Sequence, residues 1–247
     1  MSTFKNLPPV LTNRLIPRNF GSIGHLPGSK LIDRGDKIVG EPDKFTVKLR
    51  RPTDLVIITE KLDGMNSGVV KIDGKLYPIN HKGYDTRTMG ATHTELKELG
   101  IEWARWVNYF YSLYDRITEE GERLVFENCM FTHTLKYNFF DCNPVFLLAK
   151  YNKDNIRMDY TSLTEMSKTH NIEQPKLISF GAADPSLIVK ANQEHFRMLR
   201  GDFEGIVYNY ESSGRHEACA KFVSNPLMGT NESLPTCKNG YSEILMD

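Results

Sequence analysis

The sequence of 247 residues lacks most features of specialised protein classes. It contains no run of about 18 apolar residues, which excludes a transmembrane helix, and its first residues form no apolar segment typical of a secretory signal peptide. Repeats and low-complexity tracts are absent. Hydrophobic residues make up 40% and charged residues 25%, which excludes a disordered or collagen-like chain. We therefore expect a soluble protein in the cytoplasm.

Cysteine is scarce as well. The four cysteines (Cys129, Cys142, Cys219 and Cys237) form no C-x-x-C pair, and no histidines stand at the spacing of a zinc finger. This pattern argues against a structural zinc site and against a disulfide scaffold. It predicts reduced, mostly buried thiols in a reducing compartment.

The chain also has no net charge, because 31 basic residues balance 31 acidic residues. This balance excludes a uniformly basic protein that coats nucleic acid. The charges are unevenly distributed, however: residues 1–51 contain ten lysines and arginines and four acids, a formal charge of +6. Such a segment fits either a binding surface for a polyanion or an ordinary solvated face.

Regular structure is expected mainly after this segment. Residues 1–52 hold six of the twelve prolines, which predicts an irregular basic segment over 1–53 that packs on a domain over 54–247, the two forming one unit. Apolar and β-branched runs predict strands at 55–58, 67–72, 76–80, 123–129, 144–151, 203–210 and 217–223. Apolar residues spaced by three and four predict helices at 94–119, 161–170 and 186–199.

The order of these elements indicates a fold class. Strands outnumber helices, so there are too few crossover helices to connect the strands of a parallel sheet. Several strands follow one another directly, and Asp73-Gly74 is the best hairpin turn in the chain. The sequence therefore predicts an α+β fold of antiparallel sheets flanked by helices.

The most informative motif is Glu60-Lys61-Leu62-Asp63-Gly64. Lys61 follows a short apolar strand and precedes a glycine turn, so its amine lies at a strand end where the backbone can approach a ligand closely. Burial disfavours the charged form of a lysine, so we expect a lowered pKa for Lys61 and a neutral amine that can act as a nucleophile. As an isolated pattern, the same motif also fits an exposed turn.

Four later segments follow in a characteristic order: Phe126-Glu127-Asn128, then residues 145–148, 203–207 and 220–223. With Lys61-x-Asp63-Gly64, this order resembles the covalent nucleotidyltransferase superfamily of ATP-dependent ligases and mRNA-capping enzymes. Residues 24–29 (Gly-His-Leu-Pro-Gly-Ser) and 132–137 are similar to segments of ATP-dependent RNA ligases. The resemblance extends over residues 17–224 and implies a ligase-type nucleotidyltransferase domain with no OB-fold after it.

The resemblance implies catalytic roles for Lys61, Lys221 and Glu204. Lys61 would become covalently bound to the nucleotide, and Lys221 would contact the α-phosphate. Glu127 and Glu204 would contact the ribose or a metal ion. Both glutamates lie in apolar, strand-like contexts, where a carboxylate is costly without a cation or a hydroxyl partner.

The resemblance also implies nucleotide contacts for Glu60 and Phe146, with the Phe146 ring against the adenine, and Asp63 would either orient Lys61 or contact the nucleotide. Read alone, Phe146 is more typical of a core position. RNA ligases usually carry an arginine in the strand after the nucleophile. The corresponding region here offers Lys82 and Arg87, and the sequence does not choose between them.

The function implied is an ATP-dependent RNA ligase that joins a 3′-hydroxyl to a 5′-phosphate through lysyl-AMP and an adenylated end. ATP and Mg²⁺ are the implied cofactors. RNA ends, in single strands or in a nicked duplex, are the implied partners, with neither a membrane nor a protein partner. One alternative is a GTP-dependent capping-type nucleotidyltransferase. Another is a nucleotide- or RNA-binding module with weakened turnover, because Ser224 stands where the family commonly has a second basic residue.

Overall fold

The strands in the described part of the chain form two main sheets and one short pair. The computed structural model describes residues 4–31, 35–46, 51–88, 94–132, 134–135, 137–139, 142–181, 204–224 and 240–241. The strands are β1 (Gly24–His25), β2 (Asp54–Lys61), β3 (Met65–Ile72), β4 (Lys75–Asn80), β5 (Arg123–Asn128), β6 (Asn138–Phe139), β7 (Val145–Tyr151), β8 (Leu177–Gly181), β9 (Gly205–Ser212), β10 (Arg215–Val223) and β11 (Gly240–Tyr241). The helices are α1 (Asp43–Thr46), α2 (Thr94–Tyr109), α3 (Tyr111–Ile117) and α4 (Tyr160–His170), and Thr86–Thr88 form a 3₁₀ turn.

The sheet topology confirms the predicted α+β class. A five-stranded sheet has the order β1-β10-β9-β2-β8, a four-stranded sheet has the order β4-β3-β5-β7, and β11 pairs with β6. All pairs are antiparallel except β1 with β10 and β6 with β11. All seven predicted strands are present with shifted ends. The edge strand β8 was not predicted, because it is short and leaves apolar Leu177 and Phe180 exposed, which hides the usual alternation.

Two tight hairpins set the register of the strands that matter for function. Asp73 and Gly74 both have positive φ (51° and 68°) between β3 and β4. Ser213 and Gly214 do the same (51° and 72°) between β9 and β10. Two consecutive positive φ values match the twist of the flanking strands in a two-residue hairpin. The second hairpin places Lys221 opposite Val207.

The prediction of one helix over 94–119 is wrong in one respect. Two helices, α2 and α3, meet at Phe110 (φ −89°, ψ 17°), whose ring packs on Trp106 at 4.8 Å between centroids. A straight helix of that length would measure about 39 Å, whereas an eight-residue strand spans about 27 Å. The break keeps α2 on the four-stranded sheet, where Trp103 Nε1 donates to the Gly68 carbonyl at 3.0 Å.

The later helix predictions have different outcomes. The helix predicted at 161–170 is confirmed as α4, which is capped by the Asp159 side chain accepting from the Ser162 amide. The helix predicted at 186–199 lies outside the described residues. In the part of the chain that the structure describes, no helix is long and apolar enough to span a membrane.

The described cysteines are free thiols, as predicted. Cys129 is buried, whereas Cys142 and Cys219 are half-buried, so the expectation of mostly buried thiols is only partly met. Cys237 lies outside the described residues.

The described part of the N-terminal segment contains little regular structure, as its prolines predict. It carries only the short elements β1 and α1 within residues 4–31 and 35–46. The segment nevertheless contacts both main sheets, because β1 pairs with β10 and the Asn19 amide donates to the His81 carbonyl after β4 at 3.2 Å. The division into segments 1–53 and 54–247 stays a prediction.

Candidate active site

Lys61 lies at the end of β2, where strand pairing brings it to a buried glutamate. Lys61 pairs with Gly205 at the start of β9, so the preceding residue, Glu204, lies beside it. Lys61 Nζ donates to Glu204 Oε2 at 2.5 Å, with side-chain exposures of 19% and 2%. The strand register therefore joins two residues that are 143 positions apart in the sequence.

The charge state of Lys61 differs from the prediction. Burial of the amine lowers its pKa, as expected, but the negative charges of Glu204 and Glu127 outweigh that effect and raise the pKa above its ordinary value. The predicted lowering of the Lys61 pKa is therefore wrong for the protein without a ligand. Desolvation alone would have produced it, but the sequence does not reveal that carboxylates surround the amine.

Lys221 lies on β10 in the same sheet, opposite Val207 and beside His25 of β1. Its Nζ is 3.6 Å from Asp36 Oδ1. Because β10 and β2 both pair with β9, the two lysines project from one sheet. A second cation close to a candidate nucleophile suits a phosphate-bearing ligand.

Glu127 comes from the other sheet. It lies on β5, opposite Asn66 of β3, and its Oε1 accepts from the Gly64 amide at 3.0 Å. Its pKa is raised to about 7, chiefly by burial; the Lys61 charge opposes this rise, and the Glu204 charge adds to it. Its charge therefore changes near neutral pH.

A cavity of about 500 Å³ separates these groups. The five-stranded sheet contributes Lys61 and Lys221 to its wall, and the four-stranded sheet contributes Glu127. Apolar and aromatic side chains complete the wall, among them Phe20, Leu147, Leu148, Tyr160, Leu163 and Val207. The wall also carries many charged and polar side chains, among them Arg18, Glu60, His81, Arg157 and Asn209. The volume is in the usual range of a small-molecule pocket.

The sequence model of the RNA ligase family matches residues 54–223. This range contains every strand of the fold except β1 and β11. The chain belongs to the RNA ligase family. No curated protein matches it in sequence.

Solved structures share the fold of this chain. An archaeal ATP-dependent RNA ligase matches 84% of this chain at a TM-score of 0.54 and 10% identity, and the match covers 48% of that ligase. A lysine-to-alanine mutant of Naegleria gruberi RNA ligase with ATP and Mn matches 90% of this chain at a TM-score of 0.50 and 12% identity, and the match covers 63% of that ligase. The chain thus spans less than two thirds of their lengths. At these identities the likeness establishes the ligase-type nucleotidyltransferase fold alone.

The remaining residues of the family motif have different placements. Glu60 lines the cavity, and its Oε1 accepts from the Lys176 amide at 2.8 Å. Asp63 does not line the cavity: its Oδ2 accepts from the amides of Thr134 and Leu135, both at 2.7 Å, and its own amide donates to the Tyr137 hydroxyl at 2.8 Å. Asp63 therefore holds the segment that resembles RNA ligases over 132–137.

Phe146 lies in the core and not on the cavity wall. It is fully buried, and its ring packs on Phe139 at 5.6 Å. The strand β7 has a bulge beside it: Val125 pairs with Ala149, but the next residue of β5 pairs with Leu147, which leaves Leu148 as the extra residue. Leu147 and Leu148 line the cavity instead.

Neither basic residue offered for the missing family arginine lines the cavity. Lys82 is exposed after β4. Arg87 donates to both carboxylate oxygens of Asp85, from Nε at 2.9 Å and from NH2 at 2.6 Å. Arg18 and His81 line the cavity in their place. Sequence reasoning missed Arg18, because no spacing rule connects it to Lys61.

A second group of cavity-lining residues was also missed. Arg157 lines the cavity with Cys219 and Asn209. Its NH1 donates to Cys219 Sγ at 3.0 Å, and its NH2 donates to the Leu148 carbonyl at 3.0 Å. Cys219 Sγ in turn donates to Asn209 Oδ1 at 2.9 Å. These bonds fix one edge of the cavity, but the residues lie in unrelated local patterns, so the sequence offered no signal for them.

The donor set fits a metal ion shared with a ligand better than a preformed metal site. Among the described residues, no group of three or more histidines, cysteines or acids could hold an ion. Glu127 and Glu204 both place a carboxylate near Lys61. Magnesium is commonly bound by one or two carboxylates together with phosphate oxygens and water. The predicted metal contacts of Glu127 and Glu204 are compatible with that arrangement.

Proposed function

We propose that the chain is an ATP-dependent RNA ligase that joins a 5′-phosphate to a 3′-hydroxyl through a lysyl-AMP intermediate. The observation that carries the proposal is the placement of Lys61, a largely buried amine at the wall of a cavity of nucleotide size, with Lys221 on the same sheet. Membership of the RNA ligase family supports it. The solved Naegleria mutant with ATP and Mn supports ATP and a divalent cation as cofactors.

In the first step, the lone pair of Lys61 Nζ attacks the α-phosphorus of ATP. A nitrogen–phosphorus bond forms, the bond from the α-phosphorus to the bridging oxygen breaks, and pyrophosphate leaves. Lys221 contacts the α-phosphate and offsets the negative charge that develops in the transition state. Glu127 faces the ribose or the metal ion, and Glu60 lies at the nucleotide wall.

The amine must lose a proton before it can attack, because the pKa of Lys61 is raised. Glu204 Oε2, at 2.5 Å, is the nearest acceptor for that proton. When bound, Mg²⁺ would neutralise phosphate charge and offset the carboxylates that raise the Lys61 pKa. Glu127 and Glu204 are the residues that would hold it.

In the later steps, a 5′-phosphate oxygen of the polynucleotide attacks the phosphorus of lysyl-AMP. The nitrogen–phosphorus bond breaks, Lys61 recovers its amine, and the polynucleotide end carries AMP. A 3′-hydroxyl then attacks the 5′-phosphorus, and AMP leaves with its bonding electron pair. RNA is the proposed partner, and Arg18 with the basic N-terminal segment is the proposed contact for its phosphates.

Covalent labelling tests the first step. The protein is incubated with α-labelled ATP or GTP and Mg²⁺, and the label that survives denaturing electrophoresis is measured. We expect labelling by ATP that is lost in Lys61→Ala and kept in the control Lys75→Ala, an exposed lysine on β4. Labelling by GTP would favour the capping-type alternative. No label with either nucleotide would favour a binding module without turnover.

A joining assay tests the acceptor. The pre-labelled protein is supplied with 5′-phosphate RNA or DNA, as single strands or as a nicked duplex. We expect transfer of AMP to RNA followed by strand joining. Transfer only to DNA would contradict the proposed substrate class and leave the lysyl-AMP step intact.

A further inference from the structure

The segment over 24–29, which resembles RNA ligases, lies against the end of β10. His25 of β1 pairs with Lys221, and the Leu26 amide donates to the Lys221 carbonyl at 2.8 Å. The Lys30 amide then donates to the Val223 carbonyl at 2.9 Å. Bonds at Lys221 and two residues after it therefore attach this segment to the strand that carries Lys221.

The residue types in the segment follow from these contacts. A Cβ atom on Gly24 would lie 2.7 Å from Val39 Cγ1, so only glycine allows this close approach. Gly28 has a φ of 81°, which favours glycine. The Ser29 hydroxyl accepts from the Val223 amide at 2.9 Å.

A chain of polar contacts leads from this segment to Lys221. His25 Nδ1 is 2.7 Å from Ser29 Oγ, and His25 Nε2 is 3.2 Å from Asp36 Oδ2. The Asp36 carboxylate near Nε2 can only accept, so we assign the ring hydrogen to Nε2 on the side of Asp36, and Nδ1 then accepts from the Ser29 hydroxyl. The other oxygen of Asp36 is 3.6 Å from Lys221 Nζ.

The burial of these groups makes the arrangement rigid. His25 is fully buried, and Asp36 is 11% exposed. Burial lowers the pKa of His25, and the Lys221 charge lowers it further, so the ring is neutral near pH 7. A neutral His25 orients Asp36 without cancelling its charge, and that charge remains available to Lys221.

We propose that Asp36, oriented by His25, is a positioning residue that holds the Lys221 ammonium at the cavity wall for the α-phosphate. A lysine side chain has many rotamers, and restricting them before the ligand binds lowers the entropic cost of reaching the transition state. At 3.6 Å the pair restrains Lys221 while its ammonium hydrogens stay available to phosphate. The inference rests on the proposed function.

The rate of lysyl-AMP formation as a function of ATP concentration tests the proposal. In Asp36→Asn we expect the rate at saturating ATP to fall about tenfold, with no rise in the ATP concentration at half-maximal rate, because the positive charge of Lys221 remains. Asp36→Glu should restore part of the rate. The control Asp43→Asn makes the same charge change at an exposed position of the N-terminal segment 1–53, and its rate should match that of the wild type. An unchanged maximal rate, or a parallel loss of ATP affinity, overturns the proposal.

A double-mutant cycle separates this role from general stabilisation of the fold. If Asp36 acts through Lys221, Asp36→Asn should slow the reaction no further in a Lys221→Met protein. Additive losses would overturn the proposal. If the wild-type protein forms no lysyl adduct, the proposed function itself fails. If the wild type is active and Asp36→Asn is as fast, only the positioning role fails.

Discussion

The two sheets that line the cavity hold their charged groups differently. On the five-stranded sheet, each lysine has a carboxylate close by: Glu204 at 2.5 Å from Lys61 and Asp36 at 3.6 Å from Lys221. On the four-stranded sheet, Glu127 accepts instead from a backbone amide. The first sheet therefore holds its cations through ion pairs before any ligand binds. The second presents a carboxylate whose charge depends on pH.

This difference predicts where substitution costs most stability. Lys61→Met would leave Glu204, 2% exposed, without its cation, and we expect a loss of about 2–4 kcal/mol. Lys71→Met on the four-stranded sheet would break the pair with Asp115, which is 38% exposed, and should cost less than about 1 kcal/mol. Urea unfolding of both variants measures the difference. Equal losses would contradict a special role for burial in the first pair.

The contribution of Glu127 to folding stability should depend on pH. Its pKa is raised to about 7 in the folded protein, so folding favours its neutral form. The stability that this provides is full below the unfolded pKa, near 4.5, and is lost as pH rises through 7. Between pH 5 and pH 8.5 the Glu127 carboxyl should lower the unfolding free energy of the wild type by on the order of 2 kcal/mol, and this decrease should be absent in Glu127→Gln.

Unfolding free energies of wild type and Glu127→Gln at several pH values check this prediction. Glu122→Gln is a suitable control, since Glu122 forms an ion pair with Lys150 away from the cavity wall. An identical pH profile for wild type and Glu127→Gln would show that the carboxylate ionises as it does in the unfolded chain.

Substitutions at two residues of β7 test the difference between a core position and a cavity-lining position on the four-stranded sheet. Phe146→Leu should destabilise the protein by about 1–1.5 kcal/mol, because its ring fills the core, while ATP affinity stays nearly constant. Leu148→Ala should weaken ATP binding about three- to tenfold, because this side chain lines the cavity. Equilibrium binding and thermal unfolding separate the two effects. Weak ATP binding in a stable Phe146→Leu protein would restore the adenine contact that the family resemblance implies.

Local pattern explains which parts of the fold and site could be predicted. Lys61 follows an apolar run, and Glu127 and Lys221 lie within others, so a sequence that predicts the strands also places these residues on the sheets. The hairpin at Asp73-Gly74 is likewise a two-residue signal. Each of these features depends on neighbours within a few positions.

The features that could not be predicted depend on distant residues. The pKa of Lys61 is raised by Glu204, 143 positions away, and Phe146 packs in the core on Phe139, which lies outside the local apolar run around it. Arg18 reaches the cavity from the irregular N-terminal segment, whose path no periodic pattern describes. The break at Phe110 reflects the size of the sheet beneath the helices, which the helix sequence does not contain.

The smallest expected effect concerns the cations at the cavity edge. Arg18 lines the cavity, whereas Lys82 does not, although both are exposed. Arg18→Ala should weaken binding of RNA or ATP about three- to fivefold, less at high salt, as expected for loss of one phosphate contact. Lys82→Ala should change it less than about twofold, because an exposed charge outside the site is screened. The affinities of both variants for RNA and ATP, measured at low and at high salt, test this prediction. A larger effect of Lys82 would place the family's missing arginine after β4, as the sequence alone suggested.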